Sequence, residues 1–312
     1  MTVWGFKAAV KEKNTGKNAR VTRAGSVEEH RQECLCHDMP IQVTFFDNPT
    51  RVLAEAGAFL ASEPVLHNII LTLLHARVAQ PVPGRYWAAR NGEDVAGVVF
   101  QSPLNFAATI TPMPADVVVA MVDLIVDSGV DLPGVNGEAA TTARFAGHWT
   151  ERSKSAAVPF QGLRLYELVE VRYRPEASGR LRQAVPGDRE ILVEWVRRFQ
   201  IEIGEQHSEA AAMVDQWLPA GHLWIWDDGE PVSMAVTREA VEGVVRVAGV
   251  YTPAAKRNRG YAGASVSDLS KQICNNGHRP ILYTDLGNPT SNSIYRRIGY
   301  RAVAEALRYR FE

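Results

Sequence analysis

The chain has 312 residues, a formal net charge of −1 and 46% hydrophobic residues, a globular composition long enough for two domains. The near-neutral charge gives no sign of a nucleic-acid-binding surface, and no apolar run approaches the roughly 18 residues of a membrane span. Three cysteines are too few for a disulfide scaffold and are typical of the cytoplasm, where we place the protein.

Residues 1–38 differ from the rest of the chain. Four of the seven lysines lie within the first 17 residues, and no hydrophobic periodicity is visible there. We predict a disordered extension. Cys34, Cys36 and His37 lie in it, but their spacing is not a usual zinc pattern and has no second half, so we predict no metal site.

From residue 40 onward, apolar residues recur at helical and strand spacings. Asn48 before Pro49 is typical of a helix start, and Asn91-Gly92 of a tight turn between two strands. The predicted helices of this part are Asn48–Leu60, Pro64–Val78, Ala115–Val126 and Glu138–Ser153, and the predicted strands are Tyr86–Ala89, Val95–Gln101, Ala107–Ile110 and Leu163–Tyr173.

The same order returns after a Pro/Gly/Ser stretch near Pro175–Gly179, which is typical of a linker. The predicted strands are Leu181–Ala184, His222–Trp226, Val232–Thr237, Val244–Tyr251, Ile281–Leu286 and Ala302–Phe311, and the predicted helices are Asp188–Gly204, Ser208–Leu218, Gly260–Asn275 and Ser291–Ile298. Because Tyr86–Glu93 also parallels Leu223–Glu230, we predict two tandem domains, a first half of residues 40–175 and a second half of residues 179–312.

A basic loop joins the predicted strand Val244–Tyr251 to the helix that begins near Gly260. Backbone N–H groups at a helix start attract anions, and Arg257 and Arg259 add charged donors. The loop therefore indicates a phosphate or pyrophosphate site, although a basic loop that merely caps a helix is the alternative for this segment alone. It is neither a Walker loop nor a Rossmann fingerprint.

Two motifs together resemble the GNAT superfamily of acyl-CoA-dependent N-acyltransferases. The run Arg257-Asn258-Arg259-Gly260-Tyr261-Ala262 is similar to the family's Arg/Gln-x-x-Gly-x-Gly/Ala motif, and Asn288 to Tyr300 is similar to its Asn…Tyr-x-x-x-Gly-Phe/Tyr ending. The resemblance covers roughly residues 180–312, whereas residues 40–173 share only the order of elements. It implies an α/β protein of two tandem GNAT-like domains, each a mixed, mostly antiparallel sheet flanked by helices.

The resemblance also implies a co-substrate, acetyl-CoA, and roles for matching residues. The backbone of Val250, Tyr251 and Thr252 would pair with the pantetheine amides. The backbone from Arg257 to Ala262 would hold the pyrophosphate. Asn288 would contact the pantetheine region, and Tyr295 would stand near the thioester sulfur.

The chemistry of amine acetylation supports the role of Tyr295. An amine that attacks a thioester forms an oxyanion, which a backbone N–H near Val250 would stabilise, and then expels a thiolate. A tyrosine hydroxyl can protonate the departing sulfur without itself being charged. The alternative is that Tyr295 is a core aromatic, a position for which Tyr300 is the better candidate.

The attacking amine must lose a proton, and no residue clearly accepts it. Glu205 is our first candidate base, ahead of His207, Glu209 and Asp285, and a water relay without a single base is an equal alternative. The acceptor is either a small-molecule amine or a protein lysine, and the sequence predicts no oligomeric state. A longer acyl donor, or a non-catalytic module that only binds acyl-CoA, also stays open.

The first half differs at the position of the phosphate loop. It reads Ile110 to Asp116 with no Arg, no Gly and two Pro. Proline has no N–H to donate, and an aspartate repels phosphate. We therefore expect no coenzyme A site in the first half, which would buttress the second or form a wall of the acceptor cleft.

Overall fold

The computed structural model describes residues 40–204 and 209–312, so the predicted extension 1–38, with Cys34, Cys36 and His37, lies outside the described residues. The first half contains β1 (Gln42–Phe46), α1 (Pro49–Ser62), α2 (Asn68–Ala79), β2 (Arg85–Asn91), β3 (Asp94–Gln101), β4 (Ala108–Ile110), α3 (Ala115–Asp127), β5 (Gly134–Glu138), α4 (Ala139–Ser153) and β6 (Ala157–Leu168).

The second half contains β7 (Arg180–Gln183), α5 (Arg189–Ile203), α6 (Ala210–Trp217), β8 (Leu223–Asp227), β9 (Pro231–Thr237), β10 (Val244–Tyr251), α7 (Tyr261–Asn275), β11 (Arg279–Asp285), α8 (Pro289–Ile298) and β12 (Tyr300–Phe311). In these described residues, no helix is long and apolar enough to cross a bilayer.

The strands form one mixed sheet in the order β1-β2-β3-β4-β5-β12-β6-β11-β10-β9-β8-β7. The two halves exchange their last strands, because β12 pairs with β5 of the first half and β6 pairs with β11 of the second. At the centre, β6 and β12 run antiparallel from Leu168 opposite Tyr300 to Ala157 opposite Phe311. The predicted α/β class with mixed, mostly antiparallel strands is confirmed, and the linker near Pro175–Gly179 stays a prediction.

The strand–helix–strand order predicts that β10 and β11 are parallel neighbours, because a helical crossover returns the chain in the same direction. The structure confirms this pairing from Val244 opposite Arg279 to Val247 opposite Leu282. The first half repeats it, since β4 and β5 also pair in parallel around α3.

Helices cover both faces of the sheet in each half. Along β2, Tyr86 and Ala88 pack in the cluster with α1 and α2, whereas Trp87 and Ala89 pack in the cluster with α3 and α4. Successive side chains of a strand point to opposite faces, so a strand covered on both sides is apolar at nearly every position.

Three strands of the sheet differ from the sequence prediction. Strand β5 was not predicted because it contains two glycines, which are rare in strands. Both are required sterically, since a Cβ at Gly134 would lie 2.2 Å from the Tyr309 carbonyl oxygen and one at Gly137 would lie 2.6 Å from that of Ile110. Strand β1 was also missed, and β6 begins at Ala157 and ends at Leu168, earlier than predicted.

We predict that the two halves unfold together, because each completes its sheet with a strand of the other. Calorimetry of residues 39–312 is expected to show one transition whose van't Hoff and calorimetric enthalpies agree. Amide exchange in β2 and β9 should report the same opening free energy. Two separated transitions would contradict this coupling.

Candidate functional site

The parallel strands β10 and β11 part from one another midway along their length. Their pairing ends at Val247 opposite Leu282. On the other side of β10, the pairing with β9 moves from Ala248 directly to Tyr251, so Gly249 and Val250 form a bulge. Gly249 has a φ of 54°, and a Cβ there would lie 2.8 Å from Val236 Cγ2, so only glycine fits.

A cavity of about 610 Å³ lies where the two strands part. Val250 and the bulge backbone form one wall, and Tyr283 and Asp285 of β11 form the opposite one. The end of α5 and the start of α8 contribute Glu202, Asn288 and Tyr295 to its rim.

Tyr295 is half-buried on α8 and lines this cavity. Burial raises the pKa of Tyr295 to about 12, against the opposing effect of a hydrogen bond with Ser291. Its ring packs edge-on against Tyr300 at 6.1 Å. The hydroxyl therefore stays protonated at neutral pH and is available as a hydrogen-bond donor.

Tyr300 has the structural role that the sequence favours for it. It is buried, and its hydroxyl lies 2.8 Å from Ser270 Oγ inside the core cluster under α7. Tyr295 packs against the same cluster but also lines the cavity, whereas Tyr300 is fully inside the core.

Two asparagines hold α8 against the end of β11. Asn288 is the N-cap of α8, where its side chain accepts a hydrogen bond from the Ser291 N–H at 3.0 Å. Asn292 is buried and donates to the carbonyl oxygens of Asp285 and Asn288, both at 2.8 Å. Its own oxygen accepts from the Tyr166 hydroxyl at 3.0 Å, which ties α8 to β6.

The basic loop leads into the N-terminus of α7, as predicted. Gly260 has a φ of 80°, and a Cβ there would lie 2.9 Å from the Glu176 carbonyl oxygen. Helix α7 begins at Tyr261, and the N–H groups of a first helical turn have no intrahelical acceptors. This turn carries the positive end of the helix dipole.

Arg257 is held at the edge of the cavity by several contacts. Its Nε donates to the Thr252 carbonyl at 2.8 Å, and its Nη2 lies 2.6 and 2.7 Å from the two carboxylate oxygens of Glu202. Glu202 was not considered in the sequence analysis, because a partner 55 residues away leaves no local signal.

The other predicted site residues fall in different places. Tyr251 is buried beside Trp195, and its carbonyl oxygen accepts a hydrogen bond from the Ser233 hydroxyl. The Thr252 carbonyl oxygen accepts a hydrogen bond from Arg257. Arg259 and Tyr261 line a separate open cavity of about 690 Å³, where the Tyr261 hydroxyl donates to Asp228 at 2.6 Å.

Two of the candidate bases are described. Asp285 lines the cavity, but its oxygens already accept from the Gly287 N–H at 2.6 Å and from Gln161 Nε2 at 3.1 Å. Glu209 is exposed at the start of α6, and Glu205 and His207 lie outside the described residues. In residues 40–204 and 209–312, no group of three His, Cys, Asp or Glu is placed to hold a metal ion.

The corresponding loop of the first half is filled by its own side chains. Met113 is buried against Gly97, where a Cβ would lie 3.0 Å from the Met113 sulfur. Asp116 accepts from the Val117 N–H at 2.9 Å in the first turn of α3, so a carboxylate occupies the place where an anion would bind.

Comparison with solved structures identifies the fold. An acetyltransferase of the GNAT family from Colwellia psychrerythraea aligns with 9% identity and a TM-score of 0.57, over 87% of this chain and 100% of its own. A GCN5-related N-acetyltransferase from Sphaerobacter thermophilus aligns with 14% identity and a TM-score of 0.60, over 86% and 95% respectively. Both alignments exceed the length of either half.

The sequence comparisons are narrower. The model of the FR47-like protein family matches residues 227–309, which extend from β8 into β12 and include both motifs. A search of curated proteins gives no match.

We predict that Asn292→Ala destabilises the protein, because the buried Tyr166 hydroxyl loses its acceptor and the carbonyl oxygens of Asp285 and Asn288 each lose one of two donors. A loss of about 2–4 kcal/mol in the free energy of unfolding is expected, measured by urea denaturation. The exposed neighbour Ser293→Ala is the control and should change it by less than about 0.5 kcal/mol. Equal stability of the two variants would contradict the bridging role of Asn292.

Proposed function

Because the chain has the GNAT fold, we propose that it transfers an acetyl group from acetyl-CoA to a primary amine, in the cytoplasm, by direct attack on the thioester. The observation that supports this most strongly is that the Val250 bulge and the half-buried Tyr295 line one cavity between parting strands. A hydrogen-bonding backbone edge and a neutral acid thus face each other.

In this proposal, acetyl-CoA extends along the gap between β10 and β11. The pantetheine pairs with the backbone at Val250 and contacts Asn288, while the pyrophosphate binds at the first turn of α7. Arg257 would exchange its half-exposed ion pair with Glu202 for the pyrophosphate, which is a small loss since exposed ion pairs contribute about 0–1 kcal/mol.

The amine nitrogen attacks the thioester carbon and forms a tetrahedral intermediate whose oxyanion accepts a hydrogen bond from the backbone near Val250. When the carbon–sulfur bond breaks, its electron pair goes to sulfur, which takes the proton of the Tyr295 hydroxyl. The ammonium proton goes to Glu205 or to a water relay, and solvent returns a proton to Tyr295. The products are the N-acetyl amine and free coenzyme A.

The direct test is release of free thiol from acetyl-CoA in the presence of a panel of primary amines. We expect release above the rate of acetyl-CoA hydrolysis with at least one class of amine. Tight binding of acetyl-CoA without thiol release in the presence of any class of amine would instead indicate a non-catalytic module. Faster thiol release from propionyl-CoA or succinyl-CoA would indicate a different acyl donor.

We predict that Tyr295→Phe lowers kcat by about 10²–10⁴-fold, the usual range for a positioned acid. The affinity for acetyl-CoA should change little, because the hydroxyl acts on charge that develops only as the sulfur departs. The ring is retained, so the melting temperature should also change little. Tyr300→Phe is the matched control and is expected to keep kcat. Wild-type turnover by Tyr295→Phe would remove the proposed acid.

We also predict that the double change Arg257→Ala, Arg259→Ala weakens acetyl-CoA binding by about 2–5 kcal/mol, if two charge-assisted hydrogen bonds are lost. Calorimetric titration measures this, and Arg189→Ala with Arg301→Ala, two arginines outside the loop before α7, is the control. Unchanged affinity would mean that the pyrophosphate binds elsewhere. A second molecule of coenzyme A bound per chain would contradict the expectation that the first half has no coenzyme A site.

A further inference from the structure

We propose that the cleft of the first half binds the body of the acceptor, and that the acceptor is a small primary amine with an aryl or branched-alkyl body. This inference rests on the proposed function and assigns the substrate class of the same site. The observation behind it is a second cavity, lined mostly by apolar side chains, that adjoins the first.

The second cavity has a volume of about 210 Å³ and lies between α2 and the centre of the sheet. Leu66 and Ile69 cover it from the α2 side, and Leu163, Leu165 and Ala306 form part of its floor on β6 and β12. Pro112 closes the end where a phosphate loop would otherwise begin. The first half therefore has a cleft beside β4 and β5, but the loop before α3 offers a phosphate neither an arginine nor a glycine.

Contacts across the two halves fix the covering helix. Arg246 of β10 donates to the Asn68 side-chain oxygen at 3.0 Å, and Val65 packs with Val244 and Ile281 in one buried cluster. Helix α2 of the first half thus lies over strands of the second half, so its apolar side chains are positioned relative to the β10–β11 gap.

The two cavities share walls. Leu163, Tyr283 and Arg308 line both of them. The strand register shows the path, because Asp285 lies opposite Leu163, Leu163 opposite Ala306, and Ala306 opposite Glu138. With strands about 4.8 Å apart, this row extends about 14 Å from the acetyl-transfer gap to the cleft of the first half.

The lining determines the class of acceptor. An apolar cavity of about 150 Å³ accommodates benzene, so this one has room for an aryl ring or a branched alkyl group. The charged side chains of the lining, Glu138, Glu305 and Arg308, already form hydrogen bonds with other residues. A sugar or a polyamine would therefore place many of its polar groups against leucine, isoleucine and alanine, where each unpaired group is costly. A protein lysine would have to bring its backbone under α2.

Groups at the junction suit an amine that must be neutral to react. The Arg308 guanidinium disfavours an ammonium beside it, and burial raises the pKa of the Tyr283 phenol, so that group is neutral and can orient a nitrogen by hydrogen bonding. At the far end, Glu138 is held as a carboxylate. Although partial burial alone would raise its pKa, bonds from two N–H groups and the Thr141 hydroxyl keep the pKa low.

The experiment compares 2-phenylethylamine with ethanolamine, glucosamine and spermidine in the thiol-release assay. We expect a preference of about 10- to 100-fold in kcat/KM for phenylethylamine over ethanolamine, from burial of one aromatic group. Ala306→Leu fills the cavity and should raise KM for phenylethylamine at least tenfold while the Kd of acetyl-CoA is unchanged. Ala302→Leu, at an exposed site on the same strand, is the matched control.

A second variant acts in the opposite direction if Ala306→Leu folds poorly. Ile69→Ala removes carbons from the covering helix and should shift preference toward a naphthyl amine. The assignment is overturned if polar amines are preferred, or if neither variant changes the selectivity of an active enzyme. A separate calorimetric titration measures binding of phenylethylamine in the presence of coenzyme A. Binding that Ala306→Leu abolishes would support the pocket even if no thiol were released. That result would contradict the proposed transfer reaction alone.

Discussion

The antiparallel pairing of β6 with β12 holds the sheet together at its centre and determines how the two halves meet. By chain order, β6 ends the first half and β12 ends the second, yet each lies beside strands of the other. A residue on this pair therefore faces elements of both halves, as Leu163 does where it lines both cavities. Because neither half has a complete sheet alone, the position of one cleft relative to the other is fixed by backbone hydrogen bonds.

The same topology produces two clefts, and the residues at the start of the following helix decide what each can bind. In each half, a helix connects two neighbouring parallel strands: α3 connects β4 to β5, and α7 connects β10 to β11. Before α7, the chain has Arg257 and Gly260, which leave a positive helix end with close backbone approach. Before α3, Pro112 lacks an N–H and Met113 fills the space, and the Asp116 carboxylate accepts from the Val117 N–H within the first turn.

The sequence predicts most local features and few of the long-range ones. The helix cap at Asn48 and the basic loop before Gly260 can be predicted from short motifs. The parallel pairing of β10 with β11 can be predicted from the order of elements. Strand β5 could not be predicted, since its glycines are required by the carbonyls of neighbouring strands. The exchange of β6 and β12 and the Arg257–Glu202 pair depend on which distant segments meet, and single-sequence periodicity contains no information on that.

The position of Tyr295 illustrates how this framework relates to chemistry. A phenol that donates a proton to sulfur must stay neutral until the carbon–sulfur bond breaks, and burial against Tyr300 favours that state. Burial alone would also suit a core residue, so orientation is what distinguishes the two roles. Asn292 bonds both to the end of β11 and to Tyr166 of β6, so α8 has little freedom to turn. The central pair of strands thus constrains the proposed acid, through β6, as well as both clefts.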